Sequence, residues 1–204
     1  MSKKPVIVFE GIEGSGKTSH LKFVSNYLKK NKINFIKIRE PGGNKNSEKI
    51  RNLILNRNLS FNKDTDLLLY LASRSENIHL LRKYYKKKII LIDRFIDSTI
   101  AYQHYGFGVN LSLINYINNY LLKNFSISFT FLNVVNQKNL YERLKKRKNL
   151  NRYDKFDIKF YKRVQSGFLR LARKNARSYQ IINSNLDIKI NKKLIIQKVK
   201  KLIQ

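Results

Sequence analysis

The sequence predicts an α/β fold, a parallel sheet covered on both faces by helices, and three observations carry that prediction. Strand-like and helix-like patterns alternate along the chain. Residues 88–92 (KIILI) read as a short apolar strand of the kind buried on both faces. Residues 6–9 are a β-branched strand that runs into a glycine-rich loop and then into an amphipathic segment with Leu21, Val24 and Leu28 on one face.

Taken in order, the second strand is expected at residues 33–38 (INFIKI), closed by the turn-rich REPGG at 39–43. Loops at that end of a strand line the ligand crevice of open α/β sheets. Residues 47–55 have helical spacing, and 63–85 form a longer helix for which Asp64 or Thr65 is the expected cap. After the strand at 88–92 come helical stretches at 98–105 and 111–124, a strand at 128–133 and a helix at 137–147. Residues 149–154 break the apolar pattern and read as a mobile polar segment. A helix at 157–174, a strand at 179–182 and a terminal helix at 192–203 complete the chain, and neither an internal repeat nor a low-complexity tract interrupts it.

A chain of 204 residues without a Pro/Gly/Ser linker suits one domain spanning 1–204. It has no cysteine, which excludes disulfides and thiolate metal sites. The first strand starts almost at once, leaving no room for a signal peptide, and no apolar run approaches membrane-spanning length, so a cytoplasmic protein is expected. The formal charge of +30 invites a nucleic-acid partner. Lys, Asn, Ile, Phe and Tyr are plentiful together, however, while Ala, Gly and Pro are sparse. The charge is therefore read as compositional bias rather than a nucleic-acid site. His20, His79 and His104 have no ligand-like spacing and are read as surface or helix residues.

Two constellations point to chemistry. Residues 11–18 (GIEGSGKT) match the G-x-x-x-x-G-K-[ST] phosphate-binding loop. Gly11, Ile12, Glu13, Gly14, Ser15, Gly16, Lys17 and Thr18 would wrap a polyphosphate, with Lys17 on the β and γ phosphates and Thr18 on Mg²⁺. Asp93 and Arg94 follow a buried strand, beside the expected position of that loop. Asp93 can hold the Mg²⁺ water shell, and Arg94 can bind a phosphate oxygen pair as a planar fork.

Together with REPGG, LLLYLASR at 67–74, DRFIDSTIAYQ at 93–103 and YKRVQSGFLRLA at 161–172, the loop closely resembles, in order and spacing, the motifs of bacterial thymidylate kinases. The resemblance implies a five-stranded parallel sheet of the P-loop nucleoside monophosphate kinase type, ATP and dTMP as substrates, Mg²⁺ as cofactor and a homodimer. By the same resemblance, Glu13 would contact the 3′-hydroxyl of dTMP and Arg94 its phosphate. Tyr70 stands where the family usually has a Phe stacking on thymine, and its hydroxyl needs a partner or a path to water. Arg74 and Gln103 would hydrogen-bond the base, Thr99 would lie near it, and Tyr102 would crowd the 2′ position. Arg39 and Arg51 would add charge near the acceptor phosphate.

A lid at about 147–156 would supply a catalytic arginine, Arg152, with Arg147 as second candidate. The family's D-R-x-E reads NRYD here, so both acids are altered. Gln165 replaces a common second arginine, and HYG at 104–106 departs from a glycine-rich stretch. Two other functions compete. A deoxynucleoside kinase would need a carboxylate base, for which Glu40 is the candidate. A nucleic-acid-stimulated ATPase would need a groove-reading or stacking motif, and none is evident.

Overall fold

The computed structural model describes residues 4–146 and 151–204. Among these, β1 (Val6–Glu10), β2 (Phe35–Arg39), β3 (Ile89–Asp93), β4 (Phe129–Val134) and β5 (Tyr179–Asn183) form one sheet in the order β2-β3-β1-β4-β5. Every pairing is parallel. Parallel neighbours require crossovers, and helices supply them: α1 (Lys17–Lys30), α2 (Lys45–Leu55), α3 (Lys63–Tyr84), α4 (Ile96–Thr99), α5 (Leu111–Leu122), α6 (Gln137–Lys145), α7 (Ile158–Lys174) and α8 (Ile188–Ile203). No helix among the described residues is long and apolar enough to cross a membrane.

The central strand explains the layering. Successive side chains of β1 point to opposite faces. Ile7 and Phe9 pack with Leu21, Val24 and Leu28 of α1 and with Ile195 and Val199 of α8. Val6 and Val8 pack with Ile78 and Leu81 of α3. Strand β3 divides in the same way, Ile89 and Leu91 on one side and Ile90 and Ile92 on the other, which is why its sequence is apolar throughout. Because β1 lies between β3 and β4, the chain winds outward from it in both directions. The carboxyl ends of these strands open a crevice at that switch.

Several boundaries differ from expectation for identifiable reasons. Strand β2 starts at Phe35, because Ile33 is spent closing α1: after Lys32 at φ 55, the Ile33 N–H donates to the Leu28 carbonyl at 3.0 Å. The cap of α3 is Asn62, not Asp64 or Thr65; its side chain accepts the N–H groups of both those residues. Helix α8 begins at Ile188, where the Asp187 carboxylate accepts the Lys189 N–H at 2.6 Å. The stretch at 98–105 divides into α4 and a π-helical segment, Ile100–Gly106, in which the Phe107 N–H reaches five residues back to the Tyr102 carbonyl at 3.0 Å. In the polar stretch at 149–154, residues 149 and 150 lie outside the described residues. Arg152–Lys155 form a 3₁₀ turn whose Tyr153 is buried, its carbonyl accepting the Tyr161 hydroxyl at 2.8 Å.

The start of α4 is fixed by Glu10, the fully buried last residue of β1. One carboxylate oxygen accepts the N–H groups of Phe95 (2.8 Å) and Ser98 (3.2 Å), and the other accepts the Ser98 hydroxyl at 2.5 Å. These are the donors that a helix start leaves unsatisfied. Burial, reinforced by the neighbouring Asp97, pushes the Glu10 carboxyl from 4.5 up to about 7. In that window the native state holds a proton that the unfolded chain has released, so the group's contribution to stability is lost as pH rises. The stability of the wild type relative to Glu10→Gln should therefore fall by on the order of 3 kcal/mol between pH 4.5 and 8. Urea unfolding of both proteins across that range checks this, and a difference independent of pH would contradict it.

Candidate active site

A cleft of about 450 Å³ opens at the carboxyl ends of β1 and β3. The phosphate-binding loop forms one wall. Gly11 has φ 135, and a Cβ there would fall 2.3 Å from the Asn133 carbonyl oxygen, so β4 approaches the loop too closely for a side chain. The Asn133 side chain donates to the Ser15 carbonyl at 3.3 Å and lies 2.7 Å from His20 Nδ1. His20 is thus a buried helix residue behind the loop, not a surface one. Gly11, Ile12 and Ser15 form the frame, while Glu13, Gly14, Gly16, Lys17 and Thr18 line the cleft.

Lys17 is almost fully buried, and its Nζ donates to the Ile12 carbonyl at 2.7 Å. Burial and the nearby Arg94 lower its pKa to about 7, against the opposing pull of Asp93, Glu13 and Glu10. Arg94 enters from the end of β3 with φ 65, a left-handed backbone unusual for a branched-free but bulky residue. One terminal nitrogen donates to the Gly11 carbonyl (2.9 Å) and the Ser98 hydroxyl (3.2 Å), and the other donates to Glu13 Oε1 (2.7 Å). Burial alone would lower the Arg94 pKa, but Glu13 and the surrounding acids outweigh it and hold the guanidinium charged. Glu13 also accepts the Tyr102 hydroxyl. Burial pushes the Glu13 carboxyl up, but Arg94 and Lys17 prevail and leave it below the usual carboxylate range.

Another wall is built by α3, the end of α4 and the π-helical segment. Tyr70, Arg74, Thr99, Tyr102 and Gln103 all line the cleft. Arg74 is fully buried and paired neither with Glu76 nor with Asp66. Its Nε donates to Glu40 at 2.8 Å, and its two terminal nitrogens donate to Asn118 Oδ1 (2.6 Å) and Thr99 Oγ1 (3.0 Å). Three of its five N–H groups are thereby engaged. The second oxygen of Glu40 takes the Asn77 amide at 3.4 Å. Burial pushes the Glu40 carboxyl up, Arg74 partly offsetting it. Arg39 also reaches the cleft but is bound bidentately to Glu48, at 3.1 and 2.8 Å; Arg51 holds the Pro41 carbonyl at 2.7 Å.

The Tyr70 hydroxyl finds its partner in the 3₁₀ turn at Arg152–Lys155. It donates to the Tyr153 hydroxyl at 2.8 Å, which donates to Asp66 Oδ2 at 3.0 Å, and Arg152 binds the other oxygen of Asp66. Arg152 consequently sits over the Phe61 ring and is not among the residues facing the cleft. Arg147 lies outside the described residues. A further cation beside the loop is Arg143 of α6, which donates to the Gly14 carbonyl at 3.0 Å and the Ser184 carbonyl at 2.7 Å. Sequence reasoning missed Arg143, Asp66 and Tyr153. Arg143 sits in a basic stretch read as composition, and Asp66 looks like an ordinary acidic residue of a first helical turn.

At the mouth of the cleft the Thr18 hydroxyl donates to Asp93 Oδ2 at 3.4 Å. A hydroxyl and a carboxylate facing one another, both oxygen donors, suit a small hard cation that keeps its remaining positions for water and phosphate.

A family model described as thymidylate kinase matches residues 9–195. The chain is 31% identical over 192 residues to the thymidylate kinase of Kosmotoga olearia, covering 93% of this chain and 92% of that protein. It is 36% identical over 197 residues to that of a Sulfurihydrogenibium species, covering 95% and 96%. The crystal structure of thymidylate kinase from Ehrlichia chaffeensis matches with a TM-score of 0.77 at 33% identity, over 96% of this chain and 98% of that one. The chain belongs to the thymidylate kinase family.

Proposed function

We propose that the protein transfers the γ-phosphoryl group of ATP to dTMP, giving dTDP and ADP. The observation that carries this reading is that Lys17 and Arg94 grip consecutive carbonyls, those of Ile12 and Gly11, within one cleft. Two anion-binding cations set back to back suit two nucleotides meeting phosphate to phosphate. An oxygen of the dTMP phosphate attacks the γ phosphorus as the bridging bond to ADP breaks. That oxygen is already anionic, so no base is required, and positioning with cationic stabilisation does the catalysis.

Arg94 orients the acceptor phosphate and Lys17 the β and γ phosphates, with Arg39 and Arg51 adding positive field. Glu13 accepts the 3′-hydroxyl, and Tyr102, tied to Glu13, closes the space a 2′-hydroxyl would need. The Tyr70 ring stacks on thymine, Arg74 and Gln103 hydrogen-bond its edge, and Thr99 lies beside them. Thr18 and Asp93 would hold Mg²⁺, which when bound neutralises charge on the donor phosphates. Arg152 acts as the lid cation only after leaving Asp66, whereas Arg143 already stands at the loop. A nucleoside acceptor is less well supported, because both oxygens of its candidate base, Glu40, are held by Arg74 and Asn77.

The protein works as a homodimer in the cytoplasm on this reading. Leu68 of α3 and Leu113, Tyr116 and Tyr120 of α5 are exposed on two helices that pack side by side, an apolar face suited to a second copy.

Turnover with ATP and Mg²⁺ against dTMP, dUMP, UMP, AMP and thymidine tests the assignment. dTMP should be preferred, and UMP turned over as fast would contradict the role of Tyr102. Arg94→Ala should lower kcat by roughly two to three orders of magnitude with the fold intact; a near-normal rate would remove its role. ATP binding at pH 8 should take up as much as about one proton, because polyphosphate raises the pKa of a Lys17 that is mostly neutral there. Calorimetry in buffers of different ionisation enthalpy reads this, with Lys17→Met showing no uptake. Sedimentation should give twice the monomer mass of 24.2 kDa, and Tyr116→Asp should shift it toward monomer; a monomeric wild type at micromolar concentration would refute the dimer.

A further inference from the structure

We propose that Asp66 is a positioning residue that sets which bases the cleft accepts, by fixing the direction of the Gln103 amide. This rests on the reading of the cleft as the acceptor-nucleotide site and deepens it.

Gln103 is fully buried and lines the cleft. Its Nε2 donates to Asp66 Oδ2 at 3.3 Å, while its Oε1, also buried, has no hydrogen-bond partner. A carboxylate can only accept, so Asp66 must face the amino end of the amide and turn the carbonyl end away. Buried oxygens without a partner are uncommon, and a ligand donor is the natural complement here. The cleft therefore offers an acceptor, and it takes a base with a ring N–H, the imide N3–H of thymine or uracil. Cytosine presents a bare N3 at that edge, two acceptors would face one another, and one hydrogen bond would be lost. Arg74, with N–H groups to spare, independently favours a carbonyl at the neighbouring position.

Asp66 is itself held in place. It is 3% exposed, sits in the first turn of α3, and receives the Tyr153 hydroxyl at 3.0 Å on the same oxygen that serves Gln103, and Arg152 on the other oxygen. The Tyr70 hydroxyl joins the network through Tyr153 at 2.8 Å. The ring proposed to stack on the base and the amide proposed to read its edge thus share one carboxylate, anchored by two lid residues.

Asp66→Asn tests this sharply. An asparagine has one oxygen where three donors, Arg152, Tyr153 and Gln103, converge, and the charged Arg152 takes it, since charge-assisted hydrogen bonds are the stronger kind. The new amino group then faces Gln103, whose amide turns to accept from it and presents its own amino group to the cleft. The ratio of kcat/KM for dTMP to that for dCMP should fall at least about tenfold, through loss on dTMP and gain on dCMP. Asp66→Glu should restore part of the ratio. The ratio cancels changes in rate caused by releasing Arg152, which a merely structural role would produce equally for both nucleotides. Gln103→Met, which leaves Asp66 in place, should also lower the ratio and keeps the test alive if Asp66→Asn does not fold. A wild type that prefers dTMP while either variant keeps the wild-type ratio overturns the role of Asp66 and Gln103 alone. A wild type that phosphorylates none of the monophosphates overturns the acceptor reading, and this inference with it.

Discussion

The interaction on which the rest of the site depends is the contact of Arg94 with the Gly11 carbonyl and Glu13, across the carboxyl ends of two adjacent strands. It ties the phosphate-binding loop to the segment that carries Thr99, Tyr102 and Gln103, so both halves of the cleft are registered on one guanidinium. Half-buried pairs of this sort contribute little net stability, because partly desolvating both charges offsets much of their attraction. Their worth lies in placement. The left-handed backbone at Arg94 and the buried Glu10 at the base of α4 are costs of the same kind, accepted where the chain must turn sharply from strand to site.

The electrostatics follow. Lys17, Arg39, Arg51 and Arg94 line one cleft; burial and Arg94 lower the pKa of Lys17, and burial, Arg39 and, more weakly, Arg94 lower that of Arg51. A cavity in which cations are held against their own repulsion is one that a polyanion relaxes. By contrast, the half-exposed Arg39–Glu48 pair is solvated and worth little by itself. The overall charge of +30 is spread over the surface and bears on long-range attraction of nucleotides rather than on this arrangement.

Much of this was legible in the sequence, and the division is physical. The loop at 11–18, the acid and base after the strand at 88–92, and the helical positions of Tyr70 and Arg74 are local patterns, fixed by a few neighbouring residues. The family resemblance extended them to Thr99, Tyr102 and Gln103, and the structure brings these residues to one cleft. What escaped was set by contacts between residues far apart in the chain. Tyr153 meets Asp66 across 87 positions and Tyr70 across 83, and Arg143 reaches Gly14 across 129. Nothing local marks Asp66 as different from Asp64, two residues earlier, nor tells Asn62 from its neighbours as the cap. Arg152 was placed by motif near the phosphates, but the carboxylate that holds it lies on another helix.

The π-helical turn at Ile100–Gly106 has a consequence for how this chain can change. A wide turn holds one residue more than an ordinary one would, and in a regular helix each residue advances the direction of its side chain by about 100°. Deleting a single residue there would let the turn tighten into a regular helix while swinging every side chain beyond the deletion away from the crevice. The number of residues in this stretch therefore matters as much to the site as their identity: a shift by one position would dismantle the wall.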